Sequence, residues 1–146
     1  MIDPDPDQMS LFLREIAKGF YVDPARALDS LRRRLSFNVI ETESSSKIDL
    51  IIRKDRPFSR EELSRRRPAA LWPETPVALA SPEDTILSKL EWVRKAGGSE
   101  KQLEDAAGIV AVNPGLDRAY VEQWATELGV LDLWQQIEGA RDSRLR

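Results

Sequence analysis

"FNVIETESSSKIDLIIR", residues 37–53, decides how the chain is read. Two runs of strand-forming residues, 37–42 and 47–53, flank Glu43-Ser44-Ser45-Ser46. That pattern predicts a β-hairpin with a four-residue loop. In the second run Ile48, Leu50 and Ile52 alternate with Lys47, Asp49, Ile51 and Arg53, so one face is apolar and the other mixed. Asp49 falls on the mixed face. A lone strand carboxylate is ordinarily a surface group paired with a neighbour such as Lys47 or Arg53, so its role depends on what else the chain supplies.

Helical periods surround the hairpin. Met9, Phe12, Leu13 and Ile16 predict a helix over 8–18 with Asp7 at its start and Gly19 at its end. Asp23-Pro24 opens a second, with Leu28, Leu31 and Leu35 as its stripe. After Pro57, "SREELSRRR" (59–67) reads as a short helix capped by Ser59, and "PVALA" (76–80) as a third strand. "SPED" (81–84) has serine, proline and an acid at the spacing of a capping box, ahead of Ile86, Leu87, Leu90 and Val93. Ser99 with Gln102 repeats that arrangement, and two further helices follow near 117–128 and 131–139. The expected fold class is α+β: a small mixed or antiparallel sheet (hairpin 37–53 plus strand 76–80), helices before it, and a helical bundle after it. The 146 residues fit a single domain, with a sheet-containing part over 1–80 and a helical part over 81–146.

Composition narrows the chemistry. The chain has no cysteine and no histidine, which excludes disulfides, thiol nucleophiles and histidine-based triads or zinc sites. Carboxylates, lysines, hydroxyls or a hard cation such as magnesium are left. No apolar stretch approaches a membrane span, so no membrane partner is expected. The net charge is −3, yet Arg53, Lys54, Arg56, Arg60, Arg65, Arg66 and Arg67 crowd one segment. Such a cluster suits phosphate contacts of an acceptor such as RNA, although no aromatic interleaves with Arg65, Arg66 and Arg67. The tryptophans, 72, 92, 124 and 134, are expected in the core and helix seams.

From Phe20 to about Gly139 the order of segments resembles prokaryotic nucleotidyltransferase-like proteins of the polymerase β superfamily, relatives of the abortive-infection toxin nucleotidyltransferases. The resemblance is carried by "FYVDPARALDSLRRRLSFNVIETESSSKIDLII" (20–52), "PVALASPEDTILSKLEWVRKAGGSEKQLEDAAGIV" (76–110) and "WATELGVLDLW" (124–134). It implies magnesium-dependent nucleotidyl transfer from a nucleoside triphosphate to an RNA or protein acceptor. Two aspartates, as D-x-D after a Gly-Ser turn, and a third carboxylate on a neighbouring strand would hold the metal, and "KIDL" places Asp49 at the third position. The resemblance also implies that Lys89 and Asp105 support catalysis, the lysine as a point charge on phosphate. Lys47, Arg53, Arg65 and Arg66 are the candidate contacts to nucleotide or acceptor phosphates.

The family's Gly-Ser turn and strand-borne D-x-D are missing. Asp3 and Asp5 spell D-x-D, but Pro4 and Pro6 suit a turn. By the resemblance, "IDPDP" (2–6) lies just after the D-x-D strand, so a shortened, inactive form is expected. A sheet lacking that strand exposes an edge, which predicts that residues 1–5 fray or pair with another subunit in a homodimer. A non-catalytic interaction or antitoxin-like protein is the alternative.

Overall fold

The computed structural model describes residues 1–72, 75–95 and 97–144. The fold is α+β and divides into two compact units, Met1–Ser64 and Arg65–Arg146. The dividing point precedes the third predicted strand, rather than following it at residue 80.

The first unit carries helices α1 (Pro6–Ile16), α2 (Pro24–Arg33) and α3 (Pro57–Ser64) and strands β1 (Phe20–Tyr21), β2 (Ser36–Glu41) and β3 (Lys47–Ile51). The hairpin forms as the alternation predicts, with Phe37 opposite Leu50, Asn38 opposite Asp49 and Val39 opposite Ile48. β1 adds to the free side of β2, giving the antiparallel order β1-β2-β3. Phe37, Val39 and Ile52 form a buried core with Met9 of α1 and Ala27 of α2, and Phe12, Leu13, Leu31 and Leu50 pack around it. Ile48 departs from the expected core face. It lies beside the hairpin loop, away from the Leu50–Ile52 end, and 46% of its surface is exposed.

Two local starts differ from the pattern. α1 begins two residues earlier than the predicted start at residue 8, because Asp5 and Gln8 form the reciprocal capping box and Pro6 takes the first turn. α3 begins at Pro57, so Ser59 is internal, buried, and accepts a hydrogen bond from Arg56 Nε at 3.0 Å.

Within residues 1–5, Ile2 and Asp3 are tied to the end of the hairpin rather than frayed. Ile2 forms a parallel bridge with Ile52, donating its N–H to Ile51 at 2.8 Å and accepting from Arg53 N–H at 2.8 Å. Beside the bridge, the Asp3 carboxylate accepts from Arg34 Nη1 at 2.6 Å and Arg53 Nε at 2.7 Å. The last residues of the hairpin edge thus meet the chain's own N-terminal segment, which satisfies the Ile51 carbonyl and the Arg53 N–H.

The second unit opens with a strand that the sequence pattern does not announce. β4 (Arg67–Trp72) pairs with β5 (Thr75–Leu79) in a separate two-stranded antiparallel sheet. The expected strand near 76–80 therefore exists, but its partner is β4 and not the hairpin, and the predicted helix over 59–67 stops at Ser64. Helices α4 (Pro82–Lys95), α5 (Glu100–Val112), α6 (Arg118–Glu127) and α7 (Leu131–Arg144) follow. Ile86, Leu87 and Leu90 of α4, Ala106 and Val110 of α5, Val121 and Ala125 of α6, and Trp134 and Ile137 of α7 are buried. This is the expected helical bundle. Among the described residues no helix is long and apolar enough to cross a membrane.

Candidate functional site

The functional candidates fall in three places. On the hairpin, Asn38, Ile40, Lys47, Asp49 and Ile51 share the face opposite the core, joined by Tyr21 through its pairing with Ile40. Asp49 is 63% exposed, and its carboxylate lies 3.2 Å from Lys47 Nζ. Both residues named for metal or phosphate on this strand are thus engaged with each other. Arg53 is engaged too: only 13% of its side chain is exposed, and it is bonded to Asp3, with Asp55 at 3.8 Å.

A three-carboxylate magnesium site does not fit this arrangement. The nearest charged partner of Asp49 is a cation, and the residue opposite it is the neutral Asn38. Among the described residues no three carboxylates gather into a group that would hold a metal. Asp3, the other aspartate of interest, is neutralised by two guanidinium groups. Burial pushes its carboxyl up, but the hydrogen bonds from Arg53 and Arg34 and their charges outweigh that and hold it below the usual carboxylate range.

The second place lies at the start of α4. Ser81 caps the helix, its Oγ accepting from Asp84 N–H at 3.1 Å and donating to Asp84 Oδ2 at 2.6 Å. Asp84 is wholly buried and also accepts from Tyr120 Oη at 2.6 Å and Arg65 Nε at 3.2 Å. The Arg65 guanidinium stacks on the Tyr120 ring, 3.9 Å from its centroid. Its Nη2 approaches Glu83 at 3.4 Å, and Glu83 accepts the N–H of Asp117 at 3.2 Å. Burial pushes the Glu83 carboxyl up, but backbone donors, the Ser81 hydroxyl and the Arg65 charge hold it below its ordinary value. Arg65, a candidate phosphate contact, is thus committed to internal carboxylates. Arg66, the other arginine named there, is exposed just before β4.

The third place joins α4 and α5. Lys89 Nζ donates to Asp105 Oδ2 at 2.9 Å and to Gln102 Oε1 at 3.1 Å. The lysine is 23% exposed and the aspartate 42%. The hydrogen bond from Lys89 holds the Asp105 carboxyl below the usual range, outweighing the opposing effect of burial, and the charges of Lys89 and Lys101 add to it. Two residues singled out in the sequence are therefore in contact. Gln102 serves as a ligand of Lys89 and not as the cap partner of Ser99, whose side chain makes no capping bond. Its three-residue spacing from Asp105 was the available signal, because such residues share a helix face.

No family model matches this chain, and neither does any curated protein or solved structure.

The tryptophans divide. Trp134 is buried as expected, and Trp124 meets Tyr120 edge to face with centroids 6.4 Å apart. Trp92 is not a core residue: 58% of its surface is exposed. Its side chain is one turn along α4 from Lys89.

Proposed function

We propose that the chain is a cytoplasmic, prokaryotic nucleotidyltransferase-like protein that binds the phosphates of a nucleoside triphosphate through Lys89. Its ancestral chemistry is metal-dependent transfer of a nucleotidyl group to an RNA or protein acceptor. In this chain alone we expect no such transfer, since the Asp49 carboxylate is paired with Lys47. The observation that carries the reading is the fixed position of Lys89. A lysine held by Gln102 and Asp105 has already lost side-chain freedom, so a phosphate gains a placed cation.

The test uses the whole chain with magnesium and labelled ATP, GTP, CTP and UTP, with RNA and protein acceptors present. Nucleotide binding that weakens about tenfold in Lys89→Gln, without transfer, is the expected result. Robust transfer abolished by Asp49→Ala would overturn the assignment of inactivity, and failure to bind any nucleotide would remove the reading altogether.

A second reading, an interaction or antitoxin-like protein acting as a homodimer, draws on the outward hairpin face. There Tyr21 is 65% and Ile51 39% exposed. Light scattering on a size-exclusion eluate separates the two, since a strict monomer at high concentration is incompatible with this second reading.

A further inference from the structure

Trp92 projects from α4 on the side opposite the helix's buried stripe. At 100° per residue, Ile86, Leu87, Leu90 and Val93 fall on one side and are buried, while Trp92 falls nearly opposite Leu87 and Leu90. Among the described residues neither a ring contact nor a hydrogen bond engages its indole. A polar side chain is the ordinary occupant of such a position, because a large ring there leaves its apolar faces in water. Thr85, Ser88 and Lys89, which flank it on the helix, are all polar.

Lys89 precedes Trp92 by three residues, so the two are neighbours on the helix surface. The lysine is fixed by Gln102 and Asp105, and Lys101 lies close enough to act on the same carboxylate. An open π surface and a placed cation therefore stand one helical turn apart. A nucleotide offers the matching pair, a flat heteroaromatic base joined through a sugar to an anionic phosphate chain.

We propose that Trp92 is a base-stacking platform, receiving the base of the nucleotide whose phosphates contact Lys89. This rests on the nucleotide-binding reading above and supplies the base contact that reading lacks. Stacking on one exposed indole is tolerant of base identity, since every base has a π face, and favours the larger purines.

The experiment compares equilibrium binding of ATP and of inorganic tripolyphosphate to the full chain. Wild type, Trp92→Ala, Trp92→Phe and Lys89→Gln are measured, with circular dichroism confirming that each is folded. Expected is a preference for ATP in the wild type, reduced roughly five- to a hundredfold by Trp92→Ala with tripolyphosphate affinity unchanged. Trp92→Phe should keep most of the preference, and Lys89→Gln should weaken both ligands. Equal affinity for ATP and tripolyphosphate, unmoved by Trp92→Ala, would overturn the stacking site and leave phosphate binding at Lys89 standing. Loss of both ligands in Trp92→Ala also overturns it. Binding of neither ligand by the wild type removes the nucleotide reading together with the platform.

Discussion

Asp84 accepts hydrogen bonds from Ser81, Tyr120 and Arg65 while wholly buried, so its charge is balanced by donors drawn from three separate stretches of the second unit. A buried carboxylate tolerates the loss of a donor poorly, because water does not replace it. Tyr120→Phe should therefore lower stability by about 2 kcal/mol, the worth of a hydrogen bond to a charged group. Asp84→Ala should cost more, about 3 kcal/mol, toward the low end for a broken buried pair because Arg65 reaches solvent. Urea denaturation at neutral pH measures both, and a Tyr120→Phe chain as stable as wild type would show the phenol to be dispensable. The cap was legible in "SPED", since serine and an acid three residues on define it locally. The other donors were not, because Arg65 and Tyr120 are 19 and 36 residues away from Asp84. Asp49 shows the converse. Its strand and face follow from alternation, whereas its pairing with Lys47 is the ordinary outcome for a strand carboxylate. Residue type misplaces Trp92 in the core or a helix seam, although its phase against the Ile86–Leu90–Val93 stripe points outward.

Local signals set the elements that they fully specify. The hairpin follows from its period of two, and α2 from Asp23-Pro24 and its capping bond to Arg26 N–H at 3.1 Å. β4 carries no such signal. Arg67, Pro68, Ala69 and Ala70 lack β-branched side chains and follow an arginine run that reads as a helix end. What makes them a strand is the ladder with β5, a tertiary partner the local pattern does not contain. The parallel bridge of Ile2 was hidden for the same reason, since its partner lies 50 residues on. Helix ends are the more local case. Gly129 follows α6 with φ of +69°, and its N–H bonds to Thr126 at 3.2 Å. A Cβ there would meet nothing within 4 Å, so the glycine is required by backbone conformation and not by space. Gly129→Ala should cost about 1 kcal/mol, and Gly129→Asn less, as read from thermal melts of the two variants. Equal melting of Gly129→Ala and wild type would mean that the αL turn is not needed to end α6.

At the scale of the molecule, each unit holds a partly buried carboxylate whose partners favour its charged form: Asp3 in the first, and in the second Glu83, alongside the more exposed Asp105. For Asp3, hydrogen bonds from Arg53 and Arg34 prevail over burial, and for Glu83 backbone donors, Ser81 and Arg65 do so. In the unfolded chain both return toward ordinary values, 3.8 for Asp3 and 4.5 for Glu83. Over the window between folded and unfolded values the unfolded chain binds more protons, so stability rises with pH there. The stabilisation is complete above the unfolded values and is lost as pH falls through the lower, folded ones. Denaturant midpoints should therefore be flat from neutral pH to about 5.5 and decline below about 4.5. Asp3→Asn should shallow the decline of the first unit, and Glu83→Gln that of the second. Each variant should be less stable than wild type at neutral pH, with the gap closing in acid as the wild-type carboxylate is protonated. Tryptophan fluorescence reports the second unit, which contains all four tryptophans, and Tyr21 offers a probe in the first. A constant gap between Glu83→Gln and wild type from pH 7 down to pH 3 would show that Glu83 gains nothing from its charge, and that the hydrogen bond from Asp117 suffices to hold it.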